Sequence, residues 1–117
     1  MVEVQVDTRE IESLVKKLTE KGDEMTEVVF EEIVTTTYAI DADAKRSCPV
    51  KTGRLRASIT SKVDKKTLSG VVGTNVNYAG IVEFGSKALR RKAKPFLYPA
   101  YWKHLAELLE KLKAYGG

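Results

Sequence analysis

The chain has 117 residues, 43% of them hydrophobic, with a net charge of +4 and a single cysteine, Cys48. A length in this range favours one domain, 1–117, with enough surface to bury a real core, and the composition excludes disorder throughout. No apolar run approaches the roughly 18 residues of a membrane span, MVEVQVDTRE lacks the regions of a secretory signal, and one cysteine cannot form an internal disulfide, which suits synthesis in a reducing cytoplasm.

The charge is unevenly spread. Residues 1–44 carry twelve Asp/Glu and four Lys/Arg, a net −8, whereas residues 45–117 carry four and sixteen, a net +12. Two arrangements satisfy this asymmetry: the halves neutralise each other within one fold, or they draw copies together head to tail.

In chain order, Val2, Val4 and Val6 alternate with Glu3 and Gln5, as in a short half-buried strand or an extended arm. Asp7 and Glu10 have capping-box spacing, and Ile11, Leu14, Val15 and Leu18 form a helical stripe that Lys21-Gly22-Asp23 ends. These make up the N-terminal strand and helix, 1–22. A long helix is predicted over 23–47, with Val29, Ile33, Thr36, Ile40 and Ala44 at helical period and Phe30, Val34 and Tyr38 widening the apolar surface. Glu24, Glu27 and Glu31 share the opposite face, solvated or awaiting a basic partner. Pro49 stops this helix, because the residue before proline is pushed out of helical geometry.

Residues 48–86 hold glycine-marked turns and a hairpin. Thr52 caps a short helical turn with Arg54, Leu55 and Arg56, and Gly53 permits the tight entry. Strands are predicted at Ser58–Lys65 and Leu68–Thr74, joined through Lys66-Thr67, and Gly70 and Gly73 suggest a bulge or the close approach of another backbone. Asn77 caps a second short helix, Tyr78–Phe84, and Gly85 fits the position beyond its end, where a left-handed backbone suits glycine. Ser86–Lys94 is a basic loop, its charged part 87–94 carrying Lys87, Arg90, Arg91, Lys92 and Lys94. Pro95 and Pro99 bracket the apolar link Phe96-Leu97-Tyr98 within the C-terminal segment 95–117. A helix from about Pro99 to Tyr115 carries the stripe Tyr101, Leu105, Leu108, Leu112 and Tyr115, with Lys103–Glu107 and Glu107–Lys111 pairs opposite; two heptads favour packing on the domain's own core over a coiled coil.

The chemistry-bearing residues do not assemble into a catalytic or metal motif. His104 is the sole histidine, and Cys48, the one thiol, is far from it in sequence. The bland readings are a histidine on a polar helix face and a small buried thiol at a helix end; the sharper ones are a metal ligand and a Cys–His nucleophile. Asp41 and Asp43 point to different faces, and Asp41 suits an i,i+4 pair with Lys45. Glu83, between Val82 and Phe84, is read as a structural ion-pair partner for Arg54 or Arg56. Gly70-Val-Val-Gly73 spells an RNA-clamp motif but lies in a strand, and no P-loop pattern exists. The basic loop, with Phe96, Tyr98 and Trp102 nearby, is the strongest signal for a rival reading as a small DNA-binding protein.

Three segments in order, Pro49-Val50-Lys51-Thr52-Gly53-Arg54-Leu55, then Tyr78-Ala79 with Glu83-Phe84-Gly85, then Pro95-Phe96-Leu97 with Pro99-Ala100, resemble the gene-product-ten-like tail-component family of long-tailed phages and prophages. The resemblance covers about residues 25–115, and Ser86 departs from it where threonine is commoner. It implies a structural virion protein of the tail or head–tail junction, acting in tail completion or head–tail joining as a ring, commonly sixfold. Its partners would be copies of itself and phage connector or tail-tube proteins. The resemblance implies no catalysis and no cofactor, no membrane, and DNA contact only as a channel lining.

The expected fold is α+β: a small antiparallel sheet packed against a long central helix, with a C-terminal helix closing another side. Gly53 and Gly85 fix two turns, Leu55, Tyr78, Phe84 and Phe96 anchor them, and the acidic face (Glu24, Glu27, Glu31) meets the basic loop (Lys87, Arg90, Arg91, Lys92) of another copy.

Overall fold

The valine alternation at the start of the chain becomes an edge strand. In the computed structural model, which describes residues 2–6, 12–49 and 53–116, the elements are β1 (Val2–Val6), α1 (Glu12–Thr19), α2 (Asp23–Ser47), α3 (Arg54–Ser58), β2 (Thr60–Asp64), β3 (Ser69–Thr74), α4 (Ala79–Phe84) and α5 (Tyr98–Ala114). The sheet is antiparallel in the order β1-β3-β2. This is the expected α+β architecture. Asp7, Glu10, Ile11 and Thr52, with the caps assigned to them, lie outside the described residues.

Val2, Val4 and Val6 point inward and Glu3 and Gln5 outward, so β1 is half-buried as its alternation requires. Its pairing with β3 runs without interruption from Val2↔Thr74 to Val6↔Gly70, and β2 pairs as regularly from Thr60↔Gly73 to Asp64↔Ser69. The glycines of β3 therefore mark close approach and not a bulge. A Cβ on Gly70 would collide with the side chain of Thr37 on α2, whose hydroxyl donates to Ile33 O at 2.8 Å within the core. A missing side chain in the sheet is what lets the long helix lie against it.

The long helix spans its predicted range. Gly22, at φ 120°, separates it from α1, and Cys48 leaves it in extended geometry ahead of Pro49. Val29, Ile33, Thr36, Ile40 and Ala44 are all buried. Tyr38, expected to widen the apolar face, is instead 52% exposed, because the sheet and α5 take two sides of α2 and leave this one open.

The final helix packs on α2, with Leu108 and Leu112 buried. Its predicted internal ion pairs give way to others. Lys103 reaches Asp43 at 3.8 Å, Lys111 reaches Glu32 at 3.9 Å, and Glu107 meets His104 at 3.2 Å. The hairpin turn takes four residues, 65–68, with Leu68 at φ 49° and Asp64 Oδ1 accepting the Lys66 N–H at 2.9 Å. The body is elongated, 51 × 22 × 19 Å, and α2, about 37 Å long at 1.5 Å per residue, links its ends.

Candidate interface at the glycine-marked end

Beyond the C-terminus of α2, α4 and the segment leading into α5 meet at one buried carboxylate. Glu83 on α4 is only 3% exposed. Its Oε1 accepts the N–H groups of Phe96 and Leu97 at 3.2 and 2.9 Å, and its Oε2 accepts that of Tyr98 at 3.3 Å. The first amides of a helix have no partner within it and carry the positive end of its dipole. Glu83 thus caps α5 from another element, while Phe96 and Leu97 are buried beside it. The expected pairing of Glu83 with Arg54 or Arg56 is absent from the described ion pairs. The two glycine-marked segments meet in another way: the Arg54 guanidinium lies 5.8 Å from the centre of the Tyr78 ring.

The turns around this carboxylate differ from the local expectation in their caps. Gly53, at φ 74° and ψ −10°, occupies the cap position of α3. Tyr78 and not Asn77 occupies that of α4, without a side-chain hydrogen bond. Gly85 ends α4 at φ 75° and ψ −179°, a region essentially restricted to glycine. A Cβ there would sit 2.8 Å from Ala93 N and 2.9 Å from Arg91 O.

The basic segment is a small hairpin and not a loose loop. Ser86 and Arg91 exchange backbone hydrogen bonds at 2.9 and 2.8 Å, Arg90 N–H donates to Lys87 O at 3.2 Å, and Lys94 N–H donates to Val82 O at 2.7 Å. Arg90 closes the turn at φ 51°, and Ser86 Oγ accepts the Leu89 N–H at 3.2 Å. The backbone is satisfied while the side chains point out: Lys87, Leu89, Arg90, Arg91, Lys92 and Lys94 are all exposed. None of the five cations makes an ion pair among the described residues.

Between this hairpin and the two short helices lies a cleft of about 570 Å³. Pro49, Leu55, Tyr78, Ile81, Val82 and Leu89 give it apolar walls, and Arg90, Arg91, Lys92 and Lys94 give it a cationic lip. Leu55 and Phe96 are buried and Tyr78 is half-buried, whereas Pro95 is exposed. Phe84 is 57% exposed and stands edge-on to Tyr98 with ring centres 5.2 Å apart, so it lies outside the core where an anchor was expected.

The acidic residues lie towards the other end of α2. Glu27 pairs with Lys65 of the β2–β3 turn, while Glu24 and Glu31 are exposed. The charge halves are therefore partly neutralised within the chain, by Lys65 and Lys111, and among the described residues the basic hairpin takes no share in it.

A polar cluster that periodicity did not reveal joins α2 to α5. His104 Nε2 bonds to Asp43 Oδ2 and its Nδ1 lies 3.2 Å from Glu107 Oε2, with Arg46 also on Asp43. Asp41 pairs with Lys45 at 2.8 Å as its spacing suggested. Cys48 is buried and its thiol donates to Pro49 O at 3.6 Å. Burial pushes its pKa up, the nearby Arg56 guanidinium opposes this, and Glu83 adds to it. Cys48 and His104 thus have separate partners, and among the described residues no three His, Cys, Asp or Glu side chains converge as metal ligands.

A family model described as "Bacteriophage HK97-gp10, putative tail-component" matches residues 8–85, about two thirds of the chain. The chain belongs to this family. As a member of the HK97-gp10-like tail-component family, it is a bacteriophage tail-component relative through α1, α2, both short helices and the strands β2 and β3, with β1 before the matched stretch. The match ends at Gly85, so the basic hairpin, the Pro95–Ala100 motif and α5 lie beyond the stretch that defines the HK97-gp10-like match. No curated protein and no solved structure matches the chain. Among the described residues no helix is long and apolar enough to cross a membrane.

Proposed function

We propose that this HK97-gp10-like protein is a structural virion component that completes the tail or joins it to the head by assembling into a ring, with no catalytic step. The observation that supports this most directly is the segregation of unmatched charge. Five cations stand on a backbone-ordered hairpin beside Pro49, past the C-terminal end of α2. Glu24 and Glu31 are exposed on the N-terminal half of the same helix. A surface that is positive on one part and negative on another matches a second copy in the same orientation. Such a head-to-tail contact closes into a ring when the rotation per copy allows it, and six members is the number the family resemblance suggests. Phage connector or tail-tube proteins are the further partners of this reading.

Replacing Arg90, Arg91 and Lys92 together by Ala tests it. These side chains are exposed and make no ion pair among the described residues, so the melting temperature should hold within about 2 °C. Each wet ion pair is worth about 0–1 kcal/mol, so loss of three should weaken self-association by roughly tenfold or more, as read by light scattering, and lower assembly of infectious particles. Unchanged assembly and infectivity would remove the hairpin from the interface. Steeply salt-dependent binding of the wild-type protein to any DNA duplex, with no self-association, would favour the DNA-binding reading in its place.

A further inference from the structure

The cationic lip accounts for the charge at this end but leaves the apolar cleft behind it without an occupant. Hydrophobic contacts, not exposed ion pairs, supply most interface affinity, so a ring contact built on this end needs an apolar group to fill that space. The open face of α2 offers one. Glu24, Glu31 and Tyr38 follow each other at intervals of seven residues, two helical turns, and so share one line along the helix. All three are exposed, and Tyr38, at 52%, is more open to solvent than the half-buried Phe30 on the same helix.

Resting on the ring reading above, we propose that Tyr38 of one copy inserts into the cleft of the next, against Leu55, Tyr78 and Leu89, while Glu31 of the first copy meets Arg90 and Arg91. The rise from Glu31 to Tyr38 along the helix is about 10 Å, so a carboxylate and an aromatic ring are presented two turns apart on one line. Leu89, 59% exposed at the tip of the hairpin, closes over the ring in the way an exposed leucine beside a cleft is placed to do. Tyrosine suits this position because its ring buries a large area with few rotatable bonds and its hydroxyl can stay at the polar margin. The contact is between unlike surfaces, as a ring demands. It also gives the partly neutralised acidic face a partner more specific than charge alone.

Tyr38→Ser and Leu89→Ser test this. Both residues are exposed, so each variant should fold and melt as wild type does. Each should weaken self-association at least tenfold by sedimentation, and the double variant should lose little more than the worse single one, because both act in one contact. In a Cys48→Ser background, a short bis-maleimide should link Tyr38→Cys chains to Leu89→Cys chains in a mixture. It should do so at least tenfold faster than it links Thr60→Cys to Leu89→Cys, Thr60 being exposed at the sheet edge. Wild-type protein that stays monomeric, with no preferential cross-link, would overturn the ring reading and this inference together. Assembly that falls in the Arg90/Arg91/Lys92 variant but persists in Tyr38→Ser and Leu89→Ser would overturn this inference alone. Self-association intact in Leu89→Ser, with loss of binding to another tail protein, would also overturn it and assign the cleft to that protein.

Discussion

The two ends of α2 handle charge and backbone in opposite ways. At the N-terminal end, side chains close the structure: Glu27 pairs with Lys65, Lys21 Nζ donates to Tyr115 O at 3.4 Å, and part-way along Glu32 approaches Lys111. Past the C-terminal end, beyond the side-chain cluster of Asp43 and His104, backbone groups take most of that part. One buried carboxylate collects three amides, a glycine sits where other residues cannot, and the hairpin bonds to itself while its side chains remain outside. An end held by its backbone can present many cations without needing them for its own order. That separation allows one surface to specialise in contact with partners without weakening the fold.

The strongest way to break this contrast is Gly85→Val. The conformation alone disfavours any other residue by about 1–3 kcal/mol, and the added side chain would meet backbone atoms of Arg91 and Ala93, which cannot turn aside. Together these predict a loss of about 3–5 kcal/mol in a urea titration, with a melting temperature lower by roughly 15 °C or more. An unchanged melting temperature would mean that the hairpin lets go of α4 without consequence, and that this end is not held by its backbone at all.

Glu83→Gln should have a smaller effect. The amide keeps one acceptor oxygen but turns an NH₂ towards groups that also donate, so one or two of the three bonds are lost. Losses of this kind cost about 1–2 kcal/mol each when the group is buried, and a total of about 2–3 kcal/mol is expected. Amide hydrogen exchange at Phe96, Leu97 and Tyr98 should accelerate more than exchange in the middle of α5. Equal exchange throughout would show that these amides do not depend on the carboxylate.

The parts legible in the sequence were those whose cause is local. Gly22 and Pro49 bound α2, the valine alternation made β1, and the glycine after Phe84 marked a positive φ, because each residue acts on its own backbone or its neighbour's. What the sequence could not show depends on residues far apart along the chain. Glu83 looked like half of an ion pair because its true partners, three backbone N–H groups, have no side chain to betray them. His104 and Asp43 meet only because α5 folds back on α2. Tyr38 fitted an apolar face by period, but period does not say how many neighbours a helix has. The sequence shows 86–94 only as a basic loop, because its closure into a hairpin rests on Arg90 in the left-handed region, which arginine gives no reason to expect.

The smallest predicted effect sharpens the comparison most. Gly53 shares a positive φ with Gly85, 74° against 75°, yet among the described residues no atom outside its chain neighbours lies within 4 Å of a Cβ built on it. Its ψ of −10° also places it in the ordinary left-handed region that several residue types visit. Gly53→Ala should therefore cost conformational strain alone, about 1 kcal/mol, and Gly53→Asn less, since asparagine tolerates that region. The two variants, measured by urea denaturation beside Gly85→Val, separate conformation from crowding: one turn has only the first, the other both. A loss in Gly53→Ala as large as that in Gly85→Val would collapse the distinction, because open space would then be as costly to fill as contact with the backbone.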